Sequence, residues 1–480
     1  MRHLHFILIA AVSLGVCSAE AEVVISAKPT LNMACSGGMC AATAKKAVLN
    51  AADLDAMLEA GDVRVESGVV ANDIEIDASV DWVSASRLTL DAWRAIAFDK
   101  HVTVAGPGAL TIMTDDGGSG GDFRFSRRGH VAFLGATGSL VINGNDYVLV
   151  HSIKELKFVA NASVPFVALV RSIDARRRLY FDSPVEFFRG TLEGLGNTIS
   201  NLVISDDRDN DTVGLIGELT PTGLLPGRIR DIGLLSADIT GTGLQQTVGV
   251  LVGENEGGSF FNSYATGRVT ALRAGSVGGL VGANDGVIQQ SHADVAVAGG
   301  GEVGGLAGST EDCFGPCRGA IDGCYATGTV SGSDGASAGG LFGYDAGQSI
   351  SNSYAMGAVG GGAFAGGLVG TIADGAGFVP ALTASYSIGS VSGGAGAVLG
   401  GLIGQDLTTH DITAAYWDLE TSGVDDPSRG AGNFADDPGI LGLTTSEFQS
   451  GLPASFSASI WAEKADVNGG YPYLFLDPPP

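Results

Sequence analysis

Aspartates stand in adjacent pairs at four places in this chain: Asp115 and Asp116, Asp206 and Asp207, Asp425 and Asp426, and Asp436 and Asp437. Two carboxylates on one face could share general-acid and general-base work, the arrangement that cleaves glycosidic bonds. Each pair, however, sits among Gly, Asn or Pro, which marks a solvated turn better than a walled cleft. A lyase would also need a cation to hold an acidic sugar, and between Leu244 and Tyr416 only Arg268, Arg273 and Arg318 are basic. The histidines are His3, His5, His101, His130, His151, His292 and His410, and none stands in the HExxH spacing that would put two of them on one zinc ion. The run Asp206-Asp207-Arg208-Asp209-Asn210-Asp211 is dense in hard oxygen ligands, but it lacks the sixth-position glycine and twelfth-position glutamate of an EF-hand loop. It reads as a solvated acidic loop, with calcium left open. No GxSxG string lies in a strand-to-helix context. The expectation is a chain with no catalytic residue, no cofactor and no metal: not an enzyme.

Cysteine chemistry points to export. Cys35 and Cys40 bracket a short loop, as do Cys313 and Cys317, and both are read as disulfides. The alternative is a metal site, but no pair has CxxC spacing and no histidine lies near. Cys324 is then left over. Arg2 and His3 precede an apolar run over residues 6–16, the pattern of a secretory signal peptide with cleavage after Ala19 or Ala21. Val16 fits poorly before Cys17 in a lipid-attachment box, so lipidation of Cys17 is left open. No later segment offers eighteen uninterrupted apolar residues, so no transmembrane segment is expected. The formal net charge of −26 repels phosphate backbones and excludes nucleic acid as a partner.

The elements that carry these residues are short strands. Glycine makes up 75 of the 480 residues, about twice the usual share, yet 45% of the chain is hydrophobic. That combination suits many strands joined by tight turns. From Val63 apolar and polar residues alternate in runs of three to five, as in Val63-Arg64-Val65, Ile74-Glu75-Ile76, Leu88-Thr89-Leu90, Val102-Thr103-Val104 and Leu110-Thr111-Ile112. A short helix is expected over residues 51–60, with Asp53 as cap and Leu54, Met57 and Leu58 as its apolar stripe. Another is expected over 152–161.

The second half repeats. The strings VGVLVG, VGGLVG, VGGLAG, AGGLFG, AGGLVG and LGGLIG end at Gly253, Gly282, Gly308, Gly343, Gly370 and Gly404, at intervals of 29, 26, 35, 27 and 34 residues. A second element recurs in phase: NSYATG from Asn262, QSHA from Gln290, GCYATG from Gly323, NSYAMG from Asn352 and ASYSIG from Ala384. Two elements repeating together at such a period mean stacked units, none of which buries its apolar face alone. The intervals are short for four-stranded propeller blades. An all-β parallel β-helix, or β-solenoid, follows, with stacked short coils, an inward leucine column and a C-terminal cap. The tyrosines read as a structural ladder before a ligand platform. The expected organisation is a signal peptide at 1–21, an N-terminal leader or cap at 22–62, a β-helical shaft at 63–146, a bridging region at 147–212, a repeat solenoid at 213–417 and a C-terminal cap and tail at 418–480.

The VGGLVG and NSYATG strings resemble the GLUG-motif repeat of filamentous-haemagglutinin-like bacterial surface adhesins, and the segment LTLDAWRAI is similar to the shaft of haemagglutinin-type exoproteins. The resemblance implies a secreted or cell-surface monomer, with periplasmic retention left open. Its loops would attach to a host-cell, matrix or glycan ligand. The excursions at 313–317 and 373–381 are where such loops leave the regular frame. A glycan-active β-helix enzyme and a purely structural stalk are the other two readings.

Overall fold

The computed structural model describes residues 22–479 apart from 119, 222–226, 311–318, 376–379 and 409–411. The signal-peptide segment, Cys17, Cys313 and Cys317 lie outside the described residues. The chain is all-β, 48% strand and 7% helix, and its strand pairings are parallel with few exceptions. It divides into two compact units, residues 1–149 and 150–480.

In the first unit, successive passes of the chain lay down strands in the same three places. Val63–Glu66, Arg87–Asp91, Ala109–Met113 and Ser139–Ile142 make one parallel ladder, with Val65, Leu90, Ile112 and Ile142 in one register. Ile74, Ile96 and Phe123 align in the second ladder, and Val80, Val102 and Val131 in the third. All ten side chains are buried. Period-two alternation puts every second residue on one face, and parallel stacking in register turns these residues into columns.

Residues 22–62 are part of this core, not a leader before it. Glu22–Ser26 lies between Lys46–Asn50 and Asp73–Ile76 in one parallel sheet. The hairpin Met33–Ser36 with Met39–Ala42 carries the Cys35–Cys40 disulfide and pairs onward with Val63–Glu66. Each of these strands is too short to stand out as a periodic run. The helix Ala51–Ala60 forms as expected, but its cap is Asn50, whose side chain accepts from the Asp53 backbone N–H. The Asp53 carboxylate instead takes the Thr30 hydroxyl at 2.8 Å. Carboxylates on and just after the helix accept edge backbone N–H groups: Asp55 from Asp81, Glu59 from Val83 and Asp62 from Arg87. An exposed strand edge is thereby closed to further pairing.

In the second unit the stacking begins well before residue 213. Phe166–Leu169, Thr191–Glu193 and Arg228–Arg230 pair in sequence, and Val185–Phe188 pairs with Ile216–Leu219. The bridging region is therefore the first layers of the array. Its strands need only an inward apolar residue, not the glycine string. The helix Ile153–Asn161, capped by Ser152, buries Ile153, Leu156, Val159 and Ala160.

Each glycine-leucine string is a strand, a turn and a strand. Ser276–Gly278, for example, ends one strand and Val281–Asn284 begins the next. The turn leucines Leu251, Leu280, Leu306, Leu341, Leu368 and Leu402 are all fully buried. Their backbones bond from layer to layer: Leu280 N–H to Leu306 O at 2.8 Å, Leu306 to Leu341 at 2.9 Å and Leu341 to Leu368 at 2.8 Å. The turns stack as the strands do. A Cβ on Gly278 would stand 1.8 Å from the carbonyl oxygen of Val281, and one on Gly304 would stand 1.8 Å from that of Ala307. No side chain fits there, which is why glycine recurs at this position.

Candidate functional site

The second recurrent element builds two columns. The residue before each serine, or before Cys324, has positive φ: Asn262, Gln290, Gly323, Asn352 and Ala384 lie between 45° and 64°. This sharp turn sends the next side chain inward and the aromatic one outward. Ser263, Ser291, Ser353 and Ser385 are fully buried, and their hydroxyls accept backbone N–H groups from the preceding layer, as Ser291 does from Ser263 at 3.1 Å and Ser385 from Ser353 at 3.1 Å. Cys324 takes the serine's place in its layer, its thiol directed at the carbonyl oxygens of Asp322 and Ile288. Burial pushes the thiol far up from its ordinary range. The leftover cysteine is a column member.

The aromatic column runs Tyr264, His292, Tyr325, Tyr354, Tyr386, with centroids 5.0, 4.5, 4.9 and 5.1 Å apart and rings within 10° of parallel. The layer spacing of a parallel sheet, about 4.8 Å, sets this distance. The column is covered by the chain's own C-terminal segment. Phe448, Phe456, Trp461, Tyr471 and Leu474 pack with Tyr325, Tyr354, Tyr386 and Tyr416 in one buried cluster. Tyr386 donates its hydroxyl to the carbonyl of Pro472, and Asn468 donates to the Tyr386 oxygen at 3.0 Å. At the far end His292 Nδ1 meets Asp477 Oδ2 at 2.6 Å. Burial pushes the Tyr386 phenol well up, and pushes that of Tyr471 up to about 12. These phenols stay neutral and structural.

The segment after residue 418 thus has two jobs where one was expected. Residues 429–443 close the end of the array. Gly401 N–H bonds to Arg429 O, Leu402 and Ile403 N–H to Gly430 O, and Ile440–Leu443 pairs with Ile412–Asp418. Residues 444–477 then turn back along the side. The sequence signal was present in the concentration of aromatic residues from Phe448 to Tyr473, but nothing in spacing said what they covered.

Of the four aspartate pairs, one meets a carboxylate of another strand: Asp116 faces Asp91, whose carboxyl is pushed up to about 6 by burial and by Asp116, against the pull of Arg64. Asp115 accepts the N–H groups of Gly120 and Gly121, Asp426 those of its own turn at Ser428, and Asp437 that of Gly439. The acidic run at 206–211 is not simply solvated. Asp206 is fully buried and is held by Arg208 at 2.7 Å and by the Gln246 amide at 2.9 Å, while Arg208 also pairs with Asp211. One half-exposed cation pairs with two of the loop's four carboxylates, a pairing that residue spacing could not show. Among the described residues no group of three or more His, Cys, Asp or Glu is placed to hold a metal ion.

A further buried polar position lies two residues after the strand glycines Gly253, Gly282 and Gly343, at Asn255, Asn284 and Asp345. Asn255 Nδ2 donates to Asn284 Oδ1 at 2.7 Å. Gln348 exchanges hydrogen bonds with Asn284, two layers earlier. In the layer between them Thr310 holds the corresponding place, its hydroxyl accepting the Ala346 N–H at 2.8 Å. Asp345 accepts the Gln348 N–H at 2.9 Å, and burial pushes its carboxyl up to about 7.

Against known proteins, the family profile of the GLUG motif matches residues 245–270 and 299–331. Each match spans one layer: a strand, the leucine turn, and the strands up to and beyond the aromatic residue. Halomucin from Haloquadratum walsbyi is 40% identical over 112 residues, 23% of this chain, and the chain spans about 1% of the length of that relative. The crystal structure of a proposed immunoglobulin A1 protease from Bacteroides ovatus overlaps 69% of this chain and 93% of its own, at 18% identity and a TM-score of 0.45. No helix among the described residues is long and apolar enough to cross a membrane. The chain carries the GLUG motif as a repeated element, matched at residues 245–270 and 299–331.

Proposed function

We propose that this chain is a noncatalytic β-solenoid of the parallel β-helix kind, secreted or held at a cell surface, which presents loops for attachment in the manner of an adhesin. The observation that carries this reading is the disposition of its polar chemistry. Asp115, Asp426 and Asp437, from three of the four aspartate pairs, hold the backbone of their own turns, and the phenols of the tyrosine column are stacked and covered. What varies on the regular frame is the loops. Loops on a rigid scaffold are where binding residues collect.

The test replaces the excursions at 313–317 and 373–381 with short Gly-Ser turns and measures adherence of producing cells to host matrix or to one another. Folding should survive and adherence should fall. Unchanged adherence removes these loops from the account. Turnover of an acidic polysaccharide by the purified protein would favour the glycan-active enzyme and overturn the reading.

A further inference from the structure

The cations of this acidic chain are unevenly placed. Residues 154–189 contain seven Lys and Arg against four carboxylates, whereas residues 190–480 contain 31 carboxylates against eight cations. With carboxylates in such excess, a cation ordinarily finds a partner, as Arg208, Arg230 and Arg268 do in the later layers. In the first layer and its helix, Lys154, Lys157, Arg171, Arg177 and Arg178 are exposed and make no ion pair among the described residues. Five exposed cations without an ion pair thus lie within 25 residues of a chain of net charge −26, one of them, Arg178, set over the Tyr180 ring at 4.7 Å.

Large apolar side chains are exposed in the same layer. Phe158 is 75% exposed and Phe181 69%, with Leu179 and Phe187 also uncovered. The helix explains the position of Phe158. Ile153, Leu156, Val159 and Ala160 face the core, so Lys154, Lys157 and Phe158, at i, i+3 and i+4, share the outer face. Leu179 and Phe181 follow directly on Arg177 and Arg178 along the first layer.

We propose that these side chains make up one surface and that it docks on an anionic lipid bilayer, with the cations on the headgroups and the phenyl rings in the interface. Lys and Arg interleaved with Phe and Leu are the composition of peripheral membrane-binding surfaces. A hydrated polyanion would satisfy the cations but would give the rings nothing to bury against, so the exposed apolar side chains select lipid. The remaining array, net negative, is repelled by the same headgroups. The chain would be held by its 154–189 region with the repeat layers directed away from the membrane. This supplies attachment without a spanning helix, and it does not depend on the loops of the proposed function.

The experiment is co-sedimentation of the full chain with vesicles of phosphatidylcholine alone or with 30% phosphatidylglycerol. Binding should require the anionic lipid and should fall at least tenfold between 50 and 500 mM salt. Phe158→Ser with Phe181→Ser, and separately Arg177→Glu with Arg178→Glu, should each lower partitioning about tenfold or more with melting unchanged. The variant lacking both excursions should bind vesicles as well as the parent, so loss of adherence and loss of lipid binding are separable. Equal binding to neutral vesicles, no binding to either, or tight salt-sensitive binding to a soluble acidic polysaccharide with none to vesicles would each overturn the proposal.

Discussion

Asp345→Asn should stabilise the second unit at alkaline pH and change little in acid. Asp345 is fully buried, its Oδ1 is engaged by Gln348 N–H, and its Oδ2 has no hydrogen-bond partner. Burial raises the carboxyl from 3.8 to about 7, against the opposing pull of the Gln348 and Gly347 backbone. The folded chain therefore keeps a proton that the unfolded chain has lost between those two values. Stability from this group is complete below about pH 4, declines as pH rises through 4 to 7, and is gone above. At 1.36 kcal/mol per unit, a shift of about three units is worth about 4 kcal/mol. Spread over the unfolding entropy of the second unit, that is about 6 °C in Tm. Asparagine already stands at this place in two earlier layers, as Asn255 and Asn284, so the substitution fits and carries no charge. The assay is thermal or urea unfolding of parent and variant from pH 4 to 8.5. Other raised carboxylates such as Glu302 are common to both proteins and cancel in the difference. Parallel pH profiles for the two would refute the account, because the buried carboxyl would then not be titrating in this window.

Leu306→Asp should cost at least about 4 kcal/mol and broaden or abolish the cooperative melt, since it removes a fully buried leucine shared between layers and leaves a charge there; an unchanged urea midpoint would place that column outside the core. Gly304→Ala should destabilise strongly because its Cβ would lie 1.8 Å from a backbone oxygen, whereas Gly394→Ala, with nothing within 4 Å, should stay within about 0.5 kcal/mol in the same denaturation assay. Cys324 should resist a thiol reagent until the protein unfolds, given its complete burial and raised pKa. Cys324→Ser should remain folded with a similar melting temperature, since serine fills that place in four other layers.

The repeat core was legible because its signals are local and doubled. The leucine of each string must be inside for the layer to close, and the glycine two residues before it tolerates no Cβ, so both leave a mark on sequence at every copy. The early strands left a weaker mark. Val23 and Ile25 are as buried as any repeat leucine, but a strand of five residues beside a hairpin has no second element in phase to announce it. Residues 166–206 lack the glycine string for the same reason that they stack well: Thr191–Glu193 and Thr198–Ser200 need only Leu192 and Ile199 inside. Polar chemistry was the least legible. Nothing in the run at 206–211 shows that Arg208 folds back over Asp206, or that Gln246, forty residues later, completes the site. The covering of the tyrosine column was hidden by separation of a different kind. His292 and Asp477 lie 185 residues apart and meet because parallel stacking turns sequence distance into a short walk down one face. A column of rings at about 4.8 Å presents a continuous apolar strip, and water contact along it is costly. A chain that builds such a strip must supply something to lie on it. The aromatic tail from Phe448 to Tyr473 is that supply, which makes its composition a consequence of the tyrosines and not an independent feature.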